Sequence, residues 1–327
     1  MKALQNITIA NFLLQSGEVC KINLSFQTFG LPIGMAPIVL VNHALTGNSN
    51  VEGENGWWND VVGENKVVDT KKYTVIAFNI PGNGYDNAIE NLIENYKSFT
   101  AKDIASLFWK GLECLKINQL FAVIGGSLGG AIAWEMSLLK PKSIQNLIPI
   151  ATNWKATDWL IGNVLVQDAI LNNSKNPIHD ARLHAMLLYR TPQSLSAKFN
   201  SEKNSNQDSY KVESWLLHHG EKLTGRFELS AYKLMNHLLK TIGENSSESD
   251  LQDFAKISTT KIHQIAINSD YFFAPNENIK THNLLSNITN NLSYHEINSI
   301  HGHDAFLIEY ERLNNILKTI FNTKHTL

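Results

Sequence analysis

The chain has 327 residues, 43% of them hydrophobic, with 28 Lys and Arg against 30 Asp and Glu for a formal net charge of -2. A balance so near neutral leaves no footprint for nucleic acid, and neither a basic N-terminal region followed by an apolar core nor an apolar run able to span a bilayer is present, so the expectation is a cytoplasmic protein. Cys20 and Cys114 read as free packing residues and not as a disulfide, and the triplets at Asn6-Ile-Thr8 and Asn291-Leu-Ser293 would matter only in a secreted chain.

Along the chain, residues 19–29 alternate apolar and polar as an early antiparallel strand does, whereas 38–41, 74–78 and 121–124 are the near-continuous apolar runs of a buried parallel sheet. Thr100 with Asp103 forms a capping-box-like start before a helix over 104–117. A second helix over 128–139 stops before Lys140-Pro141. This alternation predicts an α/β class with a mostly parallel, doubly wound sheet. From residue 154 to 257 the strand signal disappears, and amphipathic helical segments are expected at 156–171, 179–189, 209–223 and 227–239. The domain reading is therefore a core of residues 1–153 and 258–327 with a helical lid inserted at 154–257, in which Trp154, Trp159 and Trp215 serve as lid core. Residues 200–207 and 243–250 read as exposed polar loops, and no internal repeat is present.

The stretch Ala122-Val-Ile-Gly-Gly-Ser-Leu-Gly-Gly-Ala131 runs from a strand through a Gly-x-Ser-x-Gly turn into a helix. That context lifts a serine hydroxyl out of a sheet and aims the next backbone N–H at a developing oxyanion, which makes Ser127 the candidate nucleophile. A serine needs a hydrogen-bonded histidine as base and an acid to fix the tautomer. Both follow in the order serine, acid, histidine: residues 261–270 read as a buried strand ending at Asp270, and residues 292–300 as another strand leading to His301-Gly302-His303-Asp304. Residue chemistry alone leaves His301 and His303 open as the base. A His-x-His pair is also compatible with a metal site, but no third ligand stands at characteristic spacing, so no metal is expected.

Taken together, Asn42-His-Ala-Leu-Thr-Gly47, Gly56-Trp-Trp-Asn-Asp60, Gly125-Gly-Ser-Leu-Gly-Gly130, Ala181-Arg182, Arg226-Phe-Glu-Leu-Ser-Ala-Tyr232, Ser269-Asp270 and Gly302-His-Asp-Ala-Phe-Leu307 resemble the homoserine O-acetyltransferase family of acyl-CoA-dependent α/β-hydrolase-fold enzymes, in family order along nearly the whole chain. The resemblance implies Ser127 as nucleophile, Asp270 as acid and His303 as base, with His301 in a supporting place. It also implies an oxyanion hole made by the backbone N–H groups of Leu45 and Leu128, Asp304 against the acceptor's ammonium, and Arg226 with Tyr232 at the acceptor's carboxylate. No cofactor is bound in such enzymes; acyl-CoA is a co-substrate and the lids pair into homodimers.

The chain departs from the family after Phe78-Asn-Ile-Pro-Gly82, where it reads Asn83-Gly84-Tyr85-Asp86-Asn87 in place of a longer glycine-rich loop; Gly82 and Gly84 are read as turn geometry. The leading expectation is an acyltransferase moving an acetyl group from acyl-CoA to the hydroxyl of L-homoserine by a ping-pong mechanism, in methionine biosynthesis. The competing readings are a serine esterase or thioesterase that uses water, an acyltransferase using L-serine or succinyl-CoA, and a catalytically silent binding protein, which the triad order disfavours.

Overall fold

The computed structural model describes residues 3–205 and 208–322. The chain opens with strands β1 (Gln5–Leu13), β2 (Val19–Gly30) and β3 (Ile38–Asn42). Two short strands, β4 (Val62–Gly63) and β5 (Val68–Asp69), form a separate pair, and β6 (Thr74–Phe78) follows. Then come helix α1 (Ala101–Cys114), β7 (Leu120–Gly126), α2 (Leu128–Leu139) and β8 (Ile144–Ile150). Six helices intervene: α3 (Asp158–Asn173), α4 (Pro177–Tyr189), α5 (Pro192–Phe199), α6 (Lys211–Thr224), α7 (Leu229–Lys240) and α8 (Glu248–Ile257). The chain closes with β9 (Lys261–Ile267), α9 (Pro275–Ser286), β10 (Leu292–Ile297) and α10 (Tyr310–Phe321).

Eight strands form one sheet in the order β1-β2-β6-β3-β7-β8-β9-β10. Only β1 with β2 and β2 with β6 pair antiparallel; every other neighbour pair is parallel. Each residue of β3, β6 and β7 is buried, as strands covered on both faces must be. One face packs on α1 and α2 through Ile104, Phe108, Ile132 and Trp134. The other packs on α10 through Leu313, Leu317 and Phe321, and on the loop carrying Val51, Trp58 and Val61. Chain order in β6-β3-β7 reverses beside the first parallel crossover, so the C-terminal ends of β3 and β7 open a crevice there, and in such sheets ligands bind at that place.

Residues 243–250 were expected as an exposed polar loop; 243–247 lie outside any helix, but 248–250 form the first turn of α8, which Ser247 caps in a reciprocal box with Asp250. Helix α8 packs on α2 and α9, on the core layer, whereas α3, α4, α6 and α7 pack chiefly on one another above the crevice. Strands β1, β4 and β5 and helices α5, α9 and α10 have no counterpart among the expected elements; the expected loop at 200–207 lies partly outside the described residues. Gly82 and Gly84 adopt φ of 80° and 75°, the turn geometry expected of them.

Candidate active site

Ser127 stands between the last residue of β7 and the first of α2, with φ 57° and ψ −128°, a backbone region costly for a residue with a side chain. Its surroundings hold it there: Ser127 N donates to Ile150 O at 2.9 Å, and Gly130 N and Ala131 N donate to Ser127 O at 3.0 and 3.1 Å. Gly129 has to be glycine, because a Cβ there would lie 2.3 Å from Asn42 O. That close approach brings the end of β3, and the loop after it, against the start of α2.

The hydroxyl so presented meets His303. Ser127 Oγ and His303 Nε2 are 2.9 Å apart, and His303 Nδ1 donates to Asp270 Oδ2 at 2.7 Å. The other carboxylate oxygen, Asp270 Oδ1, accepts from Phe272 N and Phe273 N at 2.7 and 2.9 Å, so the acid is fully occupied and fixed in direction. All three residues are buried, and the rings of Tyr189, Phe272, Phe273 and Phe306 surround the imidazole with centroids 5.2–5.7 Å away. The line from serine to acid is thus buried and fixed in direction, the arrangement that general-base activation of a serine requires.

The structure separates the two histidines. His301 Nδ1 accepts from Arg190 Nη2 and meets Ser194 Oγ, each at 3.0 Å, so it fastens the histidine loop to the α4–α5 junction of the lid and makes no contact with Ser127. Between them Gly302 takes φ 67°, and its Cβ position lies 2.9 Å from Tyr189 O, so the turn needs a glycine. Among the described residues no group of three or more His, Cys, Asp and Glu is placed to hold a metal ion.

Leu45 and Leu128 are buried, and among the described residues neither backbone N–H is spent on a protein acceptor. The Leu45 loop is held by His43, which is 1% exposed: its Nδ1–H donates to Ala44 O at 2.8 Å and its Nε2 accepts from Ile80 N at 2.9 Å. These two bonds fix one neutral tautomer, and burial lowers the His43 pKa to about 4. Arg226, in the turn between α6 and α7, donates from Nη1 to Thr46 O at 3.1 Å.

Asp304 follows His303 and is half-buried. Burial pushes its carboxyl up, against the opposing pull of the Arg182 guanidinium, His303 and Arg190. Arg182, on α4, holds its guanidinium carbon 5.5 Å from the centre of the Tyr189 ring and acts electrostatically on Tyr189 and Tyr232 as well. Neither the Asp304 carboxylate nor the Arg182 guanidinium has a hydrogen-bond or ion-pair partner among the described residues. Tyr232, expected at the acceptor's carboxylate, is buried in this cluster. Arg226, expected beside it, is directed to the Thr46 carbonyl, and Arg182 is the cation brought to Asp304. Helical spacing accounts for Arg182 beside Tyr189, seven residues apart on one face of α4, but their approach to Asp304 depends on how α4 packs on the histidine loop and has no local sequence signal.

A family model described as alpha/beta hydrolase fold matches residues 37–306. A homoserine O-acetyltransferase of Cyclobacterium marinum is 32% identical over 94% of this chain and 92% of its own length. The chain belongs to the homoserine O-acetyltransferase family. A member from Methanococcus vannielii is 31% identical over 95% of this chain and 71% of its own. The crystal structure of a homoserine O-acetyltransferase from Bacillus anthracis superposes with a TM-score of 0.86 at 18% identity, covering 99% of this chain and 98% of that one, and shows the same fold. The chain is thus an enzyme of an acyltransferase family on an α/β-hydrolase scaffold, and no helix among the described residues is long and apolar enough to cross a membrane.

Proposed function

We propose that the protein acetylates the hydroxyl of L-homoserine with acetyl-CoA, in two half-reactions through an acyl-Ser127 intermediate. Ser127 Oγ attacks the thioester carbonyl as His303 Nε2 takes its proton; the oxyanion is met by the Leu45 and Leu128 N–H groups, and the CoA sulfur leaves with the proton from His303. The acceptor hydroxyl then gives its proton to His303 and attacks the acyl carbon, and as the intermediate collapses His303 returns that proton to the departing Ser127 Oγ. Asp270 keeps His303 in the right tautomer and stabilises the imidazolium formed in each step.

The observation that best supports this reading is a pair of opposite charges beside the triad. Asp304 and Arg182 act on each other electrostatically, yet neither has a hydrogen-bond or ion-pair partner among the described residues, which leaves both open to an α-amino acid's ammonium and carboxylate. Water as acceptor needs neither charge. In support of a short acyl group, the small cavity bounded by Leu45, Tyr189, Tyr232 and Phe272 has no cation in its lining for the distal carboxylate of a succinyl chain. The reading includes a homodimer, supported by the exposed apolar side chains Leu165 and Val166 of α3 and Leu187 of α4.

A CoA-release assay tests it, with acetyl-CoA or succinyl-CoA as donor and L-homoserine, L-serine or no acceptor. The expected result is release that depends on L-homoserine and prefers acetyl-CoA. Release independent of any acceptor would instead favour a hydrolase, a reading with its own observation: an esterase structure superposes on this chain with a TM-score of 0.86 at 16% identity.

A further inference from the structure

The lid carries a group of cations that the triad and the acceptor pair do not use. On α6, Trp215, His219 and Lys222 recur at i, i+4 and i+7 and so share one face of the helix. Lys198 of α5 lies with Nζ 5.2 Å from the Trp215 ring centre, and the rings of Trp215 and His219 are 4.4 Å apart. Desolvation, together with the positive charges of Arg182, Lys222 and Lys198 and the neighbouring His218, lowers the His219 pKa to about 4. Arg226 is in turn held below its usual range by desolvation and by Arg182. The cations therefore run as one continuous group from the inner Arg182, beside Asp304, outward to Lys198 and Lys222 on the lid surface.

Asp304 stands against Arg182 at the inner end, but no carboxylate pairs with Lys198 or Lys222 at the outer end among the described residues. Lys198, Lys222, Arg182 and Arg226 form no ion pair among the described residues, and Lys198 and Lys222 are exposed. On the facing helix, Asp180 is already bonded by Ser174 and His179, and Glu221 projects about 120° away from the Trp215–Lys222 face. Like charges gathered without counter-charges cost stability unless they meet an anion, and lysine ammonium groups on flexible stems suit a phosphate as point charges.

We propose that this face of α5 and α6 binds the phosphate groups of the acyl donor, with Lys198 and Lys222 contacting them at the surface while the acyl end reaches Ser127. The assignment rests on the acyl-CoA reading above and adds the place where the donor's charged end docks. Arg182 stays with the acceptor, so the two substrates draw on opposite ends of one cationic track.

The test is the double variant Lys198→Ala/Lys222→Ala, assayed with L-homoserine and either acetyl-CoA or S-acetyl-pantetheine, which has the same thioester and no phosphate. The expected result is a roughly ten-fold loss in kcat/KM for acetyl-CoA, carried by KM, with the pantetheine donor unaffected and a shallower dependence of the acetyl-CoA KM on salt. Equal losses with both donors, or no loss with either, overturn the proposal while leaving the acyl-CoA reading standing. A wild-type enzyme that transfers nothing from acetyl-CoA overturns both.

Discussion

Before any ligand arrives, Ser127, His303 and Asp270 are joined by an unbroken series of hydrogen bonds, whereas Asp304 and Arg182, one residue and one lid helix away, hold ionic groups with none. The first set stands at the ends of sheet strands, with Asp270 fixed by two backbone N–H groups. The second bridges the core and the lid, since Asp304 belongs to the histidine loop and Arg182 to α4. On the function proposed above, the contrast is a division of labour: the groups assigned to reactivity are already bonded to one another in the scaffold, and those assigned to recognition await the acceptor's charges. Breaking each side should therefore fail differently.

The largest effect is expected at the nucleophile. Ser127→Ala should lower kcat by at least ~10⁴-fold, and His303→Ala should do the same with the double variant little worse, because residues acting as a unit are strongly non-additive. Mass spectrometry after brief exposure to acyl-CoA checks the first, and an adduct on the Ser127→Ala protein would place the nucleophile elsewhere.

Next comes the acid sensitivity of the scaffold side. His43 is neutral in the fold with its pKa lowered to about 4, against an ordinary value of 6.5, so the unfolded chain binds the proton first as pH falls. The stability this neutral residue supports is whole above pH 6.5 and is lost as pH falls toward 4, by up to about 3 kcal/mol. Denaturant titrations across that window should show a shallower pH slope in His43→Asn than in the wild type. Identical slopes would remove His43 from the account and leave the acid loss to His219, His237 and His263, which desolvation also lowers to about 4.

On the recognition side the losses should be selective. Asp304→Asn and Arg182→Lys should each cost roughly ten- to a hundred-fold in kcat/KM for the acceptor while leaving the acylation rate of Ser127 near the wild-type value. Pre-steady-state CoA release separates the two steps, and equal losses in both would make these residues props for the histidine loop. Smallest of all, His301→Ala should lower kcat only a few-fold and the unfolding free energy by about 1 kcal/mol, since it loses contacts with Arg190 and Ser194 but none with Ser127. A loss matching that of His303→Ala would reverse the roles of the two histidines.

What could be read beforehand follows the same division. The glycines around Ser127 and the apolar strands are local features that backbone physics makes visible, whereas the choice of His303 over His301 came only from the family resemblance. Strand β1 escaped because it is an edge strand with mostly exposed residues, and Asn11, at φ 54°, breaks its alternation near a register shift. Helix α8 escaped although Ser247 and Asp250 carry the same capping signal that marked α1, because its first residues are uniformly polar. The choice between Arg226 and Arg182 was not legible, since it depends on how α4 and the α6–α7 turn are set against the sheet, and that packing is long-range.

The bond from Arg226 to the Thr46 carbonyl joins the lid to the loop that presents the Leu45 N–H. On the acyl-transfer reading proposed above, this one bond makes the cover over the site and the loop that would polarise the acyl carbonyl parts of a single unit, so a change that loosens one is felt by the other.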